Sequence, residues 1–166
     1  NNTTDFDNPG SYVIEPKPSD IPAEKALSFF EFFMDRGVQE YKSGIPKPRT
    51  VVVEEAHQFI PEPAGLGFNT PGRESSIQTG LLMMQIRKYN LSTIIISQRT
   101  AVIAKSALSQ CENFIVFRSV DKTGLDYIEN VAGFDFSNLV AQLNQGEALI
   151  FGPAISSDNP VVVNIH

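Results

Sequence analysis

Apolar and polar residues follow one another along this chain in blocks that read alternately as strand and helix. Val51 to Val53 form a short apolar run that stops at two adjacent carboxylates, Glu54 and Glu55. A continuous run of this kind suits a strand buried on both faces of a parallel sheet. Residues 92–97 and 113–117 repeat the pattern and end at Gln98 and Arg99 and at Arg118. Between the runs the period changes to three and four. Leu27, Phe30, Met34 and Val38 predict one buried face of a helix over residues 23–41, starting near Pro22, with Ser19 or Asp20 as cap. Ser75 followed by Gln78 reads as a capping box for a helix carrying Ile77, Leu81, Met84 and Ile86 inward.

The remaining stretches complete the pattern. Residues 11–15 read as a short strand closed by Pro16 and Pro18, and residues 101–111 as a short helix. Asp121 caps a predicted helix through Leu125, Ile128 and Val131 that ends at Gly133, and Asp135 caps another holding Leu139, Val140 and Leu143. Residues 146–151 and 161–165 are two strands around the turn at Gly152, expected to pair as a hairpin at one sheet edge. The loop of residues 61–72 is rich in glycine and proline and long for a compact domain, so mobility is expected there. The fold class is α/β, a mostly parallel sheet flanked by helices with a carboxyl-terminal edge strand pair.

Composition narrows this picture without changing it. With 166 residues, 42% apolar and 19% charged, the chain is expected to form one globular domain over 1–166. Residues 1–10 are polar and are expected to be disordered or extraneous to the domain; the segment as a whole looks like part of a longer protein. A net charge of −6 argues against a broadly basic DNA-coating surface, while leaving room for local basic loops or the inner channel of a ring. Cys111 is the single cysteine, so no internal disulfide forms. No run is long enough for a membrane helix and no signal segment opens the chain, and a cytoplasmic location is expected.

The candidate chemistry lies at the strand ends. Adjacent parallel strands present their carboxyl ends side by side, where open α/β sheets bind ligands. Glu54 and Glu55, Gln98 and Arg99, and Arg118 could therefore converge on one crevice. Paired carboxylates suit a Mg-nucleotide site, one orienting the water shell of the metal and the other polarising an attacking water. A glutamine can orient that water, and arginines stabilise charge on a transferring phosphoryl group. Each residue alone reads equally as a solvated strand end; the repetition over three runs is what points to a site.

Residues 51–61 (Val-Val-Val-Glu-Glu-Ala-His-Gln-Phe-Ile-Pro) resemble the Walker B segment of the HerA-type ATPases, in the HerA/FtsK branch of RecA-like P-loop motors. Residues 86–99 resemble that family's arginine-bearing helix and glutamine-ended sensor strand, residues 108–118 its next block, and residues 145–152 its late strand. The blocks occur in the family's order. The resemblance implies that Glu54 orients Mg²⁺ through water, that Glu55 is the catalytic acid that polarises water, and that Gln98 is the sensor. It implies that Arg87 is offered to a neighbouring subunit's ATP, with Arg99 and Arg118 as further phosphate or interface contacts. It further implies a homo-hexameric ring that translocates double-stranded DNA, in some members beside a nuclease partner. His57 is expected to be structural or coupling rather than a metal ligand.

Two departures matter. The family usually has aspartate where Glu54 stands. More decisively, no Gly-x-x-x-x-Gly-Lys-Ser/Thr phosphate loop occurs in the chain; Lys42-Ser43 and Lys105-Ser106 lack the preceding glycines. The chain is accordingly expected to be the carboxyl-terminal part of the motor domain, with negligible ATP turnover alone. The Glu-Glu-Ala-His tetrapeptide is also similar to motif II of DEAH-type helicases, whose later motifs are missing. A non-catalytic assembly or DNA-binding module, and a related DNA-pumping, packaging or conjugation motor, remain as alternatives.

Overall fold

The structure, a computed structural model, describes residues 10–45 and 47–165, with the side chain of Phe134 outside the description. Of the amino-terminal stretch expected to be disordered, residues 1–9 lie outside the described residues.

Helix α1 (Pro22–Ser43) forms where the three- and four-residue spacing predicts it, with proline in its first turn and Gly44 closing it at φ 75°. Its buried stripe is Ala23, Ala26, Phe30, Phe33, Met34 and Gly37. Leu27 and Val38 flank that stripe and are half-buried. Neither expected cap acts: Ile21 holds the cap position, and the Asp20 carboxylate instead accepts the Lys17 N–H at 3.0 Å. Residues 11–17 carry no regular structure, so the expected first strand is absent. Tyr12, Val13 and Ile14 are exposed there.

Strand β1 (Arg49–Val53) pairs in parallel with β2 (Leu91–Ile95), with Val51 beside Thr93 and Val53 beside Ile95. The connection between them holds α2 (Ala56–Phe59), a 3₁₀ turn at Pro63–Gly65, α3 (Arg73–Met83) and a second 3₁₀ turn at Ile86–Tyr89. Helix α3 starts two residues before the expected capping box, on Gly72 at φ 81°. Ser75 thus lies inside the helix, and Gln78 bonds Glu74 on the surface at 2.8 Å. The inward face is also displaced within the helix: Ser76, Thr79, Gly80 and Met83 are buried, while Leu81 and Met84 are exposed; Ile86, on the turn that follows, is buried as expected. Small residues there permit close packing; a Cβ on Gly80 would stand 2.2 Å from Ser106 Oγ.

The long loop is tied down at its base. Pro61 bridges to Ile103, the Glu62 N–H donates to the Val102 carbonyl at 2.7 Å, and the Glu62 carboxylate accepts the Lys105 N–H at 2.8 Å. Arg73 donates to the carbonyls of Pro63 and Leu66 and lies over the ring of Phe68. Residues 64, 65 and 67–71 stand exposed.

Beyond α4 (Lys105–Leu108), strand β3 (Phe114–Phe117) does not extend the parallel pair. It runs antiparallel to β4 (Glu147–Phe151), which pairs antiparallel with β5 (Val161–Asn164). The terminal hairpin is as expected; the partner of β3 is not. A four-residue apolar run has the same appearance in either kind of ladder, so its direction is not written in its composition. Helices α5 (Lys122–Ala132) and α6 (Phe134–Gln142) pack on this second sheet. Asp121 caps α5 through the Gly124 N–H at 2.9 Å, as expected, whereas Gly133 rather than Asp135 occupies the cap of α6.

Two hydrophobic clusters result. One centres on Phe30, Ile60 and Ile103 under the parallel pair, the other on Val140, Leu149 and Ile128 under the antiparallel sheet, and Tyr127 touches both. Strands β1, β2 and β3 are buried on one face rather than two, with Val52 53% exposed, Ile94 50%, Ile115 62% and Phe117 54%, whereas β4 buries Ala148 and Leu149 on opposite faces. Among the described residues no helix is long and apolar enough to cross a membrane.

Candidate functional site

The carboxyl ends of β1 and β2 are held together beyond the strands themselves. The Ile96 N–H donates to the Val53 carbonyl and the Ala56 N–H to the Ile96 carbonyl, each at 3.0 Å. This double stitch fixes Glu54 and Glu55 next to the Ser97–Arg99 segment. Ala56 is completely buried at the start of α2, so the chain must turn inward immediately after two carboxylates that face solvent. Glu55 makes that turn in the left-handed conformation, φ 48° and ψ 45°. A non-glycine residue there costs on the order of 1–2 kcal/mol. Among the described residues the other non-glycine example is Asn90, a residue type that tolerates this conformation where a helical turn ends. Backbone strain at a carboxylate on a strand end is characteristic of functional positions.

The Glu55 carboxylate has a partner. Its Oε2 lies 3.3 Å from Nδ1 of His57. The same Nδ1 lies 3.5 Å from Ser97 Oγ, which accepts the Arg99 N–H at 3.0 Å. Glu54, Gln98 and Arg99 are exposed beside this cluster. One carboxylate reaching a cation through water, with the remaining ligands from phosphate and solvent, is an ordinary way to hold Mg²⁺. Glu54 fits that role. Among the described residues no three His, Cys, Asp or Glu side chains gather as a direct metal cage.

Arg118 follows β3 and therefore belongs to the other sheet, so adjacency of parallel strands does not carry it to the crevice. The neighbouring segments do meet, however. A Cβ on Gly124 would lie 3.5 Å from Thr100 Oγ1 and 3.4 Å from Ser119 Oγ, which puts the residues just after Arg99 and Arg118 on either side of the start of α5.

Arg87 stands apart. It sits on the 3₁₀ turn before β2, at the end of that strand opposite to Gln98. Five strand residues separate the two ends by roughly 17 Å. Its guanidinium is exposed and pairs with Glu112 Oε1 at 2.7 Å. The sequence pattern does not point to Glu112 or Ser97, because their contacts join segments 25 and 40 residues apart. The Glu55–His57 contact is local, and the two-residue spacing around the turn is its one sequence signal.

No protein-family model matches the chain. Curated relatives do. Over 131 residues it is 30% identical to the probable DNA double-strand break repair helicase HerA of Methanocaldococcus jannaschii, covering 77% of this chain and 24% of that protein. Over 124 residues it is 31% identical to the DNA double-strand break repair helicase HerA of Pyrococcus furiosus, covering 72% of this chain and 20% of that one. The chain thus spans about a quarter of the length of the curated relatives it matches. Among solved structures, the genome-packaging NTPase B204 of Sulfolobus turreted icosahedral virus 2, in complex with ATP-γ-S, shares the fold at TM-score 0.58 and 18% identity over 84% of this chain and 64% of that one. B204 from Sulfolobus turreted icosahedral virus, described as a DNA-packaging ATPase, gives TM-score 0.59 and 17% identity over 98% and 77%. The order of the sequence blocks, the two stitched strand ends and these relatives agree, and the chain is a homologue of the HerA-type ATPases, with the fold of the RecA-like P-loop motors.

Proposed function

We propose that this chain is the carboxyl-terminal part of an ATP-driven DNA translocase of HerA type. The observation that carries the proposal is Glu55, held in a strained left-handed turn at the carboxyl end of β1 and stitched beside the Ser97–Arg99 segment. In this reading the Glu55 carboxylate polarises the attacking water, and the Gln98 amide orients it against the terminal phosphate. Glu54 holds the water shell of Mg²⁺, which when bound supplies charge neutralisation between the phosphates. Arg99 and Arg118 contact phosphate or the subunit boundary, and Arg87 serves the nucleotide of the adjacent subunit in a homo-hexameric ring around double-stranded DNA. A nuclease acting on DNA ends is the partner chemistry that the resemblance suggests.

The phosphate cradle is supplied by sequence other than these 166 residues. The half-exposed apolar residues Val52 and Ile94 on the parallel pair, and Ile115 and Phe117 on the antiparallel sheet, support this, since further packing there would cover them. The same missing loop favours one rival reading, a non-catalytic assembly or DNA-binding module. An ATP-turnover assay separates them. The full-length protein is expected to hydrolyse ATP faster with double-stranded DNA, and the 166-residue chain to show none. A full-length protein without turnover, or hydrolysis by the chain alone, would overturn the proposal.

A further inference from the structure

One nitrogen in the site has two partners and can fully satisfy only one at a time. His57 Nδ1 is 3.3 Å from the Glu55 carboxylate and 3.5 Å from the Ser97 hydroxyl. When Nδ1 carries a proton it donates to one acceptor; when it does not, it can accept from Ser97 and leaves the carboxylate unheld. The ring is mostly buried, 19% exposed, and sits on the short α2 whose first residue, Ala56, is bonded to β2 through Ile96. Ser97 Oγ in turn accepts the Arg99 N–H, so Gln98 is bracketed by Ser97, which touches the imidazole, and by Arg99, which reaches it through Ser97.

We propose that His57 is a positioning residue that ties the Glu55 carboxylate to the Ser97–Arg99 turn carrying Gln98. This rests on the reading of Glu55 as the acid that polarises water. Glu55 stands in a strained turn with a half-exposed side chain, so without a tether its carboxylate has several rotamers available. The 3.3 Å contact of its Oε2 with Nδ1 favours one. A shift of the Ser97 turn, as Gln98 meets or loses a phosphate, changes the competition for Nδ1 and therefore the hold on Glu55. His57 touches neither nucleotide nor water in this scheme; it acts through the carboxylate.

The position of the nitrogen gives a sharp test. Asparagine places its amide nitrogen near the site of Nδ1, whereas glutamine reaches towards that of Nε2. In the full-length protein, His57→Ala is expected to lower the kcat for ATP at least about tenfold with KM little changed, the usual loss for an outer partner of a catalytic group. His57→Asn is expected to restore most of the rate and His57→Gln little. Ser97→Ala is expected to lose less than His57→Ala, and the double variant no more than His57→Ala alone. Equal rescue by asparagine and glutamine, a rise in KM at constant kcat, or full additivity would overturn the proposal. A second measurement stands without turnover. In the 166-residue chain, the imidazole nitrogen resonances of His57 are expected to move in both Glu55→Gln and Ser97→Ala, and unchanged resonances would overturn the tie. If the wild-type full-length protein shows no Glu55-dependent hydrolysis, the functional reading fails, and the resonances still decide whether the tie exists.

Discussion

Two arginine–glutamate pairs in this molecule have the same chemistry and opposite settings. Arg49 meets Glu40 through two bonds of 2.5 and 2.6 Å, with side chains 14% and 16% exposed, and its guanidinium also lies over the ring of Phe33. Arg87 meets Glu112 through one bond, with side chains 86% and 55% exposed. The first pair joins α1 to the start of β1 in a two-bond geometry that holds both partners in place. The second is the kind of solvated contact that contributes little to stability, because water screens it and two long side chains lose freedom. The exposed pair of Arg87 with Glu112 is the setting that its proposed role at a neighbouring subunit requires.

The largest expected effect breaks the second pair. Arg87→Ala in the full-length protein should reduce ATP turnover about a thousandfold or more, the usual scale for an arginine supplied in trans. The melting temperature of the 166-residue chain should hardly change. Turnover within a few-fold of wild type would remove Arg87 from the site. Arg49→Ala should show the reverse: urea unfolding of the chain should register a loss of about 2 kcal/mol, the scale of hydrogen bonds to charged groups. A smaller effect distinguishes the same pair by pH. The Arg49 hydrogen bond holds the Glu40 carboxyl below the usual carboxylate range. A carboxyl lowered on folding adds stability above its unfolded value, about 4.3, and loses it as pH falls through the folded value. The stability gap between wild type and Glu40→Gln should therefore be widest near neutrality and close on acidification. Smallest of all, Glu112→Gln should alter the stability of the chain by less than about 0.5 kcal/mol.

The contrast also shows what a sequence can and cannot disclose. Pro22, the spacing of Phe30 and Met34, and the Asp121 cap act locally, and each of these features stands in the structure. The ends of β1 and β2 were legible because an apolar run that stops at a carboxylate or a glutamine reports both a strand and what projects from it. The antiparallel pairing of β3 was not, since Phe114 to Phe117 carry no mark of direction. Nor was the half-exposed face of Val52 and Ile94, because valine and isoleucine look the same whether or not a second layer covers them. Gly72 displaced the capping box at Ser75 by offering a left-handed cap three residues earlier. Within the candidate site, the acids and the glutamine were readable as types. The strained backbone of Glu55, the Ser97 contact of His57 and the Glu112 partner of Arg87 arise only on folding.

Glu55 is proposed as the water-polarising acid of an ATP site. Its most direct test is steady-state hydrolysis by the full-length protein beside Glu55→Gln, with ATP binding measured on both. Binding should be retained and kcat should fall about a hundredfold or more, the range for removal of a general base. A variant that hydrolyses ATP at the wild-type rate would contradict the account.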